Sequence, residues 1–208
     1  MDMSDNSGPQ SVYSIGAPER KERADAARNR ARVLEAAERL FREHGVGAVS
    51  MDQVAAEAKV GKGTLFRRFG DKAGLAVALL DERERELQAG ILTGPPPLGP
   101  GAEPGERLQA FLHAYLDFLD ENLDLVHMSE TARPGARYEI GAYRLWHRHV
   151  AVLLREAQVD DADFLAHALL APLAADQRLA LRDEVGAERA KAGLTTLIQS
   201  ITGQKGQS

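Results

Sequence analysis

The chain has 208 residues, 44% of them hydrophobic and 27% charged, which suits one large or two modest globular domains rather than a disordered segment. It contains no cysteine, so disulfides, thiolate zinc sites, iron–sulfur clusters and a cysteine nucleophile are excluded. The net charge of −5 hides an asymmetry: residues 20–72 hold 13 Lys and Arg against 8 Asp and Glu, a balance of +5, and the remainder holds 13 against 23, a balance of −10. A basic N-terminal third on an acidic body fits a small polyanion-binding module joined to a larger domain, although chance clustering on solvated faces gives the same arithmetic.

Residues 1–27 read as a basic, unstructured lead-in, rich at first in Ser, Asp, Gly and Pro. No apolar run reaches membrane-spanning length and no secretory pattern opens the chain, so a cytoplasmic protein is expected. From Arg28 to His44 the residues Val33, Ala36, Ala37, Leu40 and Phe41 follow helical spacing, and Gly45 suits the left-handed cap. Ser50 and Gln53 have the spacing of a reciprocal cap for a second helix. Lys59-Val60-Gly61 is a turn, Lys62 to Phe69 a short third helix, and Asp71 caps a fourth from Lys72 to about Ala89. That fourth helix carries DERERE (81–86), which reads as a solvated face. The segment TGPPPLGPGAEPG (93–105) breaks any helix and marks a boundary or an extended loop. Further helical patterns cover Leu108–Leu123, about 140–157, about 162–174 with Pro172 bending or ending it, and about 187–201. No strand alternation appears, so the fold class is all-α.

Two short helices joined by a glycine-containing turn form the helix-turn-helix pattern. In the third helix Leu65 and Phe69 face inward with Val60. Thr64, Arg67 and Arg68 share the opposite face at i, i+3, i+4 spacing, and Phe66 flanks it. A short helix presenting hydroxyl and guanidinium groups fits the B-DNA major groove, where Arg binds guanine O6 and N7 in bidentate fashion. Lys62 and Gly63 open that helix. Lys72, Ser50, Arg28 and Arg30, each at a helix start, are expected to anchor phosphates. The GKGT at 61–64 lacks the spacing of a phosphate-binding loop.

Residues 28–80 resemble the DNA-binding region of the TetR family of bacterial transcriptional regulators. The likeness rests on LFREHGVGAVSMDQVAAEA and VGKGTLFRRFGDKAGL. Val60, Gly63, Thr64, Leu65, Phe69, Lys72 and Leu75 match the family's usual form, while Phe66 replaces its common Tyr and Arg68 its common His. The resemblance implies a DNA-binding domain over 28–75 and a helical effector-binding and dimerisation domain over 76–203. It implies a homodimer on a palindromic operator of double-stranded DNA, most simply a repressor released by a small molecule. The implied dimer interface uses Leu165, Ala168, Leu169, Leu194, Leu197, Ile198 and Ile201. Two-fold symmetry is also expected physically, because helix-turn-helix dimers read paired half-sites.

Six of the eleven aromatic residues lie in two middle segments. Phe111, Tyr115, Phe118, Leu119, Tyr143, Trp146 and His147 are candidates for an apolar or aromatic effector pocket, with core packing the alternative. The histidines lack metal-ligand spacing, and neither a cofactor nor a metal is expected. Two other readings stay open. One is a dimeric regulator without a ligand. The other is a helical enzyme with a DNA-targeting module, for which no nucleophile–base pair appears.

Overall fold

The computed structural model describes residues 17–203, with side chains from Asp25 onward, and every regular element among them is helical. α1 (Ala17–His44) buries Val33, Leu34, Ala36, Ala37 and Phe41 and packs on α2 (Met51–Glu57). It starts eleven residues before Arg28, so the expected unstructured lead-in is helical from Ala17. That stretch has no apolar period, but Pro18 suits a first turn and Ala, Glu, Lys and Arg are strong helix formers. Residues 1–16 of the expected tail lie outside the described residues. Gly45, at φ +79°, ends α1 as expected, its N–H donating to the Phe41 carbonyl at 2.9 Å.

The local signals after α1 appear in the structure. The Ser50 hydroxyl accepts from the Gln53 N–H at 3.3 Å, and Gln53 Oε1 accepts from the Ser50 N–H at 2.7 Å. α3 (Lys62–Phe69) is followed by α4 (Lys72–Thr93), whose first turn is capped by Asp71 accepting from the Gly74 N–H at 2.8 Å. A Cβ at Gly74 would lie 1.9 Å from the Phe69 carbonyl oxygen, so only glycine lets α4 start this close to α3. With 22 residues, roughly 33 Å at 1.5 Å per residue, α4 is long enough to run from α3 into the body of the molecule.

In the body, α5 (Pro104–Glu121) is surrounded. It packs on α8 (Gly141–Glu156) and α11 (Ala187–Thr202), and its Leu108, Phe111, Leu112, Leu116 and Leu119 are fully buried. The 93–105 segment is not a break between separate bodies. It turns tightly, with the Gly99 N–H donating to the Pro95 carbonyl at 2.9 Å, and Leu98 packs back on the core. α9 (Ala162–Leu170) lies on α8 and ends at a short 3-10 turn, Ala171–Leu173.

Three short helices had no clear pattern: α6 (Leu123–Thr131), α7 (Ala136–Glu139) and α10 (Ala175–Leu181). Helices this short are marginal alone and need tertiary fastening. Arg137 and Glu130, each under a tenth exposed, form an ion pair that ties them together. Arg137 also donates to the carbonyls of Leu173 at 3.0 Å and Leu170 at 2.9 Å, and Glu130 accepts from the Ala175 N–H at 2.9 Å. One pair thus serves the end of α9 and the start of α10. Arg178 on α10 grips Asp120 on α5 with two bonds, of 2.6 and 2.8 Å.

The candidate dimer residues separate on burial. Leu169, Leu194 and Ile198 are interior to the protomer, so they are core rather than surface. Ala168 and Leu197 are exposed, Leu165 and Ile201 half-buried, and Phe164, which the apolar stripes did not single out, is 65% exposed. None of the described helices is long and apolar enough to cross a membrane.

Candidate nucleic-acid interface

α3 hangs on one side chain. Leu65 is 1% exposed, with Val60 and Phe69 packed half-buried beside it. The remaining positions of the helix face solvent: Lys62, Gly63, Thr64, Phe66, Arg67 and Arg68. Arg67 makes no hydrogen bond or ion pair among the described residues, so its five donors stay available. Phe66 keeps 45% of its surface in water, an apolar edge beside the polar face.

The other expected contacts are already engaged. Arg68 donates to the Ala26 carbonyl on α1 at 2.9 Å, so it braces α3 on α1 rather than projecting with Arg67. Thr64 and Arg67 remain as the outward pair. Lys62 pairs with Asp52 on α2, and Arg28 with Asp25. Arg30 reaches Glu82 on α4 at 3.2 Å and is half-buried, which turns it away from a free surface. The Ser50 hydroxyl is spent on its cap. Lys72 departs furthest from expectation: its ammonium donates to the carbonyls of Val46, Gly47 and Val49, each at 2.9 Å. All three of its protons serve the turn between α1 and α2, so it positions the interface and has no donor left for phosphate.

Two residues of DERERE depart from the expected solvated face. Arg83 donates to Glu38 on α1 at 2.9 Å and to the Asn122 side chain at the α5–α6 junction, clamping the N-terminal helices to the body. Glu84 is buried. Six charges in six residues hide any period, so the sequence carried no signal for either.

The expected aromatic pocket is divided. Phe111, Trp146 and Leu119 are fully buried and Tyr115 nearly so, with Phe111 and Trp146 centroids 5.5 Å apart and Tyr115 and Trp146 5.8 Å. Phe111, Trp146 and Leu119 are thus core rather than lining. Phe118 borders a different space, a cleft of about 1030 Å³ between α1, α4 and the end of α5. Tyr143 lines another, of about 550 Å³, beside Arg137 and His167. Its hydroxyl meets His167 Nδ1 at 2.7 Å, and the His167 ring lies 3.9 Å from that of His147. The seven residues therefore do not converge on one cavity. His149 is half-buried with its ring edge-on to Phe111, and desolvation, then the Arg107 charge, lowers its imidazole to about 4.

Comparison with known proteins bears on both regions. Residues 33–79 match the family described as bacterial regulatory proteins, tetR family. An HTH-type transcriptional regulator of Staphylococcus aureus strain bovine RF122 / ET3-1 is 32% identical over 121 residues, 58% of this chain and 64% of its own length. Another, from strain USA300, is 49% identical over 53 residues, 26% of this chain and 29% of its own. The match thus spans less than two thirds of either relative. A TetR transcriptional regulator from Rhodococcus sp. RHA1 superposes with a TM-score of 0.62 at 19% identity, covering 88% of this chain and all of that one. Thermus thermophilus FadR, a TetR-family repressor in complex with lauroyl-CoA, does so at 0.60 and 20%, covering 86% and 96%. At such identities the likeness establishes the fold.

Proposed function

We propose that this chain, whose residues 33–79 match the tetR family of bacterial regulatory proteins, is a dimeric, ligand-responsive transcriptional regulator, most simply a repressor. The observation that carries this reading is the exposed face of α3, where Thr64 and Arg67, with no side-chain partner among the described residues, stand outward above a single buried leucine. Arg67 reads a base edge, and Thr64 bonds phosphate or touches a thymine methyl. The brace from Arg68 to Ala26 and the Lys72 contacts hold that helix at a set angle. Two copies, joined through the exposed Phe164, Ala168 and Leu197 with Leu165 and Ile201 beside them, bring two such helices to half-sites one or more turns apart.

Ligand response runs along α4. Its first residue, Lys72, holds the turn before α2, and its middle, through Arg83, holds Glu38 and Asn122. A molecule that repositions α4 therefore moves the DNA-reading end. It releases DNA only by binding the DNA-incompetent arrangement more tightly, typically by about 1–3 kcal/mol. Small molecules accompany proteins of similar fold: lauroyl-CoA in the Thermus protein, and choline in a regulator from Saccharomonospora viridis.

Selection of bound duplexes from a random pool tests the reading, with a two-fold symmetric site expected. Arg67→Ala then relaxes preference at one position of each half-site, at a cost of about 1–3 kcal/mol there. Equal losses on selected and random duplexes remove base reading from Arg67, and no binding at low salt removes the proposal.

A further inference from the structure

The cleft of about 1030 Å³ that Phe118 borders lies between α1, α4 and the end of α5. Its floor is apolar. Leu34 of α1 and Leu79 of α4 are buried there, Phe118 of α5 is half-buried, and Ala27 and Ala31 extend the α1 side. The volume matches the upper end of the roughly 300–1,000 Å³ typical of small-molecule sites. Ion pairs join its walls, Arg30 to Glu82 at 3.2 Å and Arg83 to Glu38 at 2.9 Å.

Charge around this floor is one-sided. Five glutamates line the cleft against three arginines, an excess of two negative charges. Each arginine is already engaged: Arg30 and Arg83 in those ion pairs, Arg83 also on Asn122, and Arg68 on the Ala26 carbonyl at 2.9 Å. Three glutamates have no partner among the described residues: Glu35 on α1, Glu86 on α4 and Glu121 on α5. They belong to three different helices, so each wall of the cleft offers a carboxylate above the apolar floor.

We propose that this cleft binds an effector with an apolar body and two cationic groups, ammonium or amidinium. The inference rests on the ligand-responsive reading and gives that ligand a place and a charge. A dication cancels the excess of two, whereas an anion meets surplus carboxylate and only guanidiniums that are already engaged. The apolar body covers Leu34, Leu79 and the Phe118 ring, which also suits a cation over its face. Exposed carboxylates each contribute little, so burial supplies most of the affinity and charge does the selecting. The cleft also touches the reading helix, because Arg68 of α3 and the Ala26 that holds it both line the space. An occupant that parts α1 from α4 pulls on both ion pairs and on that brace, and so turns α3 against the body.

Calorimetric titration of the full chain at pH 7 and low salt tests this with matched diamines, diols and dicarboxylates of six to twelve carbons. At some length the diamine is expected to bind at least about tenfold tighter than its diol, and the dicarboxylate weakest. Glu35→Gln, Glu86→Gln and Glu121→Gln combined are expected to weaken the diamine about tenfold and leave the diol within about twofold. Asp160→Asn, Asp161→Asn and Glu184→Gln combined change net charge by the same amount at exposed positions outside the cleft. They are expected to leave both ligands within about twofold. Equal binding of diamine and diol at every length, including none, overturns the proposal. Losses of the same size in the two triple variants also overturn it, as does a diamine preference that survives the first. The titrations contain no DNA, so their failure leaves operator binding standing. Diamine binding by a chain that selects no operator would break the regulator reading alone.

Discussion

Two charged stretches, the basic KGTLFRRF of α3 and the mixed-charge DERERE of α4, end in opposite surroundings. In α3 the one buried residue is a leucine, and Arg67 is exposed with no partner among the described residues. In α4 a glutamate goes inside with no partner among the described residues, while its neighbour Arg83 spans two regions of the molecule. Charge does not decide where a helical residue goes. The phase of the helix against its neighbours does. α3 is short and touched on one side. α4 packs on α1, α3, α5 and α6, so a charged stretch within it has too little water-facing circumference for every charge to escape.

That contrast is broken most severely if interior charges carry no more weight than those on α3. Arg137→Met strands Glu130 in the body and is expected to lower unfolding stability by about 3–5 kcal/mol in urea. Arg67→Ala is expected to change it by less than about 0.5 kcal/mol. Similar values for the two would erase the distinction.

Glu84 sharpens it through pH. Its folded carboxyl holds a proton to about 7, against an ordinary value of 4.5, so the folded state binds more protons between those limits. Stability is therefore lost as pH rises from about 4.5 to about 7 and stays low above that. Glu84→Gln removes the loss: it is expected to stabilise the protein at pH 8 by on the order of 2–3 kcal/mol, and to match the parent near pH 4. His149, lowered to about 4, slopes the other way, its contribution fading as pH falls below 6.5. It is common to both proteins, so their difference isolates Glu84.

Lys72 gives a smaller effect. Lys72→Ala leaves three carbonyls without their donor and is expected to cost about 1–3 kcal/mol in urea, weakening binding to every duplex alike. Unchanged stability with a shallower salt dependence would instead return Lys72 to a phosphate contact.

What was legible follows the range of the interaction. The Ser50–Gln53 cap, the Asp71 cap, the Gly45 turn and the inward phase of Leu65 each depend on residues within about four positions, and each stands in the structure as read. The amphipathic stripes of α9 and α11 were also visible, but a stripe says only that a face is buried. Leu194 and Ile198 are used up in the protomer's own core, which left Leu197 and Phe164 outside. α6, α7 and α10 were illegible because Arg137, Glu130 and Arg178 assemble them across 33 to 58 residues of chain.

By itself the chain determined an all-helical protein with a short basic helix near one end, backed by apolar residues at helical spacing. That much lies in periodicity, capping and glycine placement, which neighbours in sequence enforce. Only the tertiary structure decided that Lys72 turns to carbonyls, that Arg68 braces a helix, and that Glu84 goes inside with no partner among the described residues. In each case the partner, or its absence, is set by what distant segments bring to the spot, and no local spacing records it.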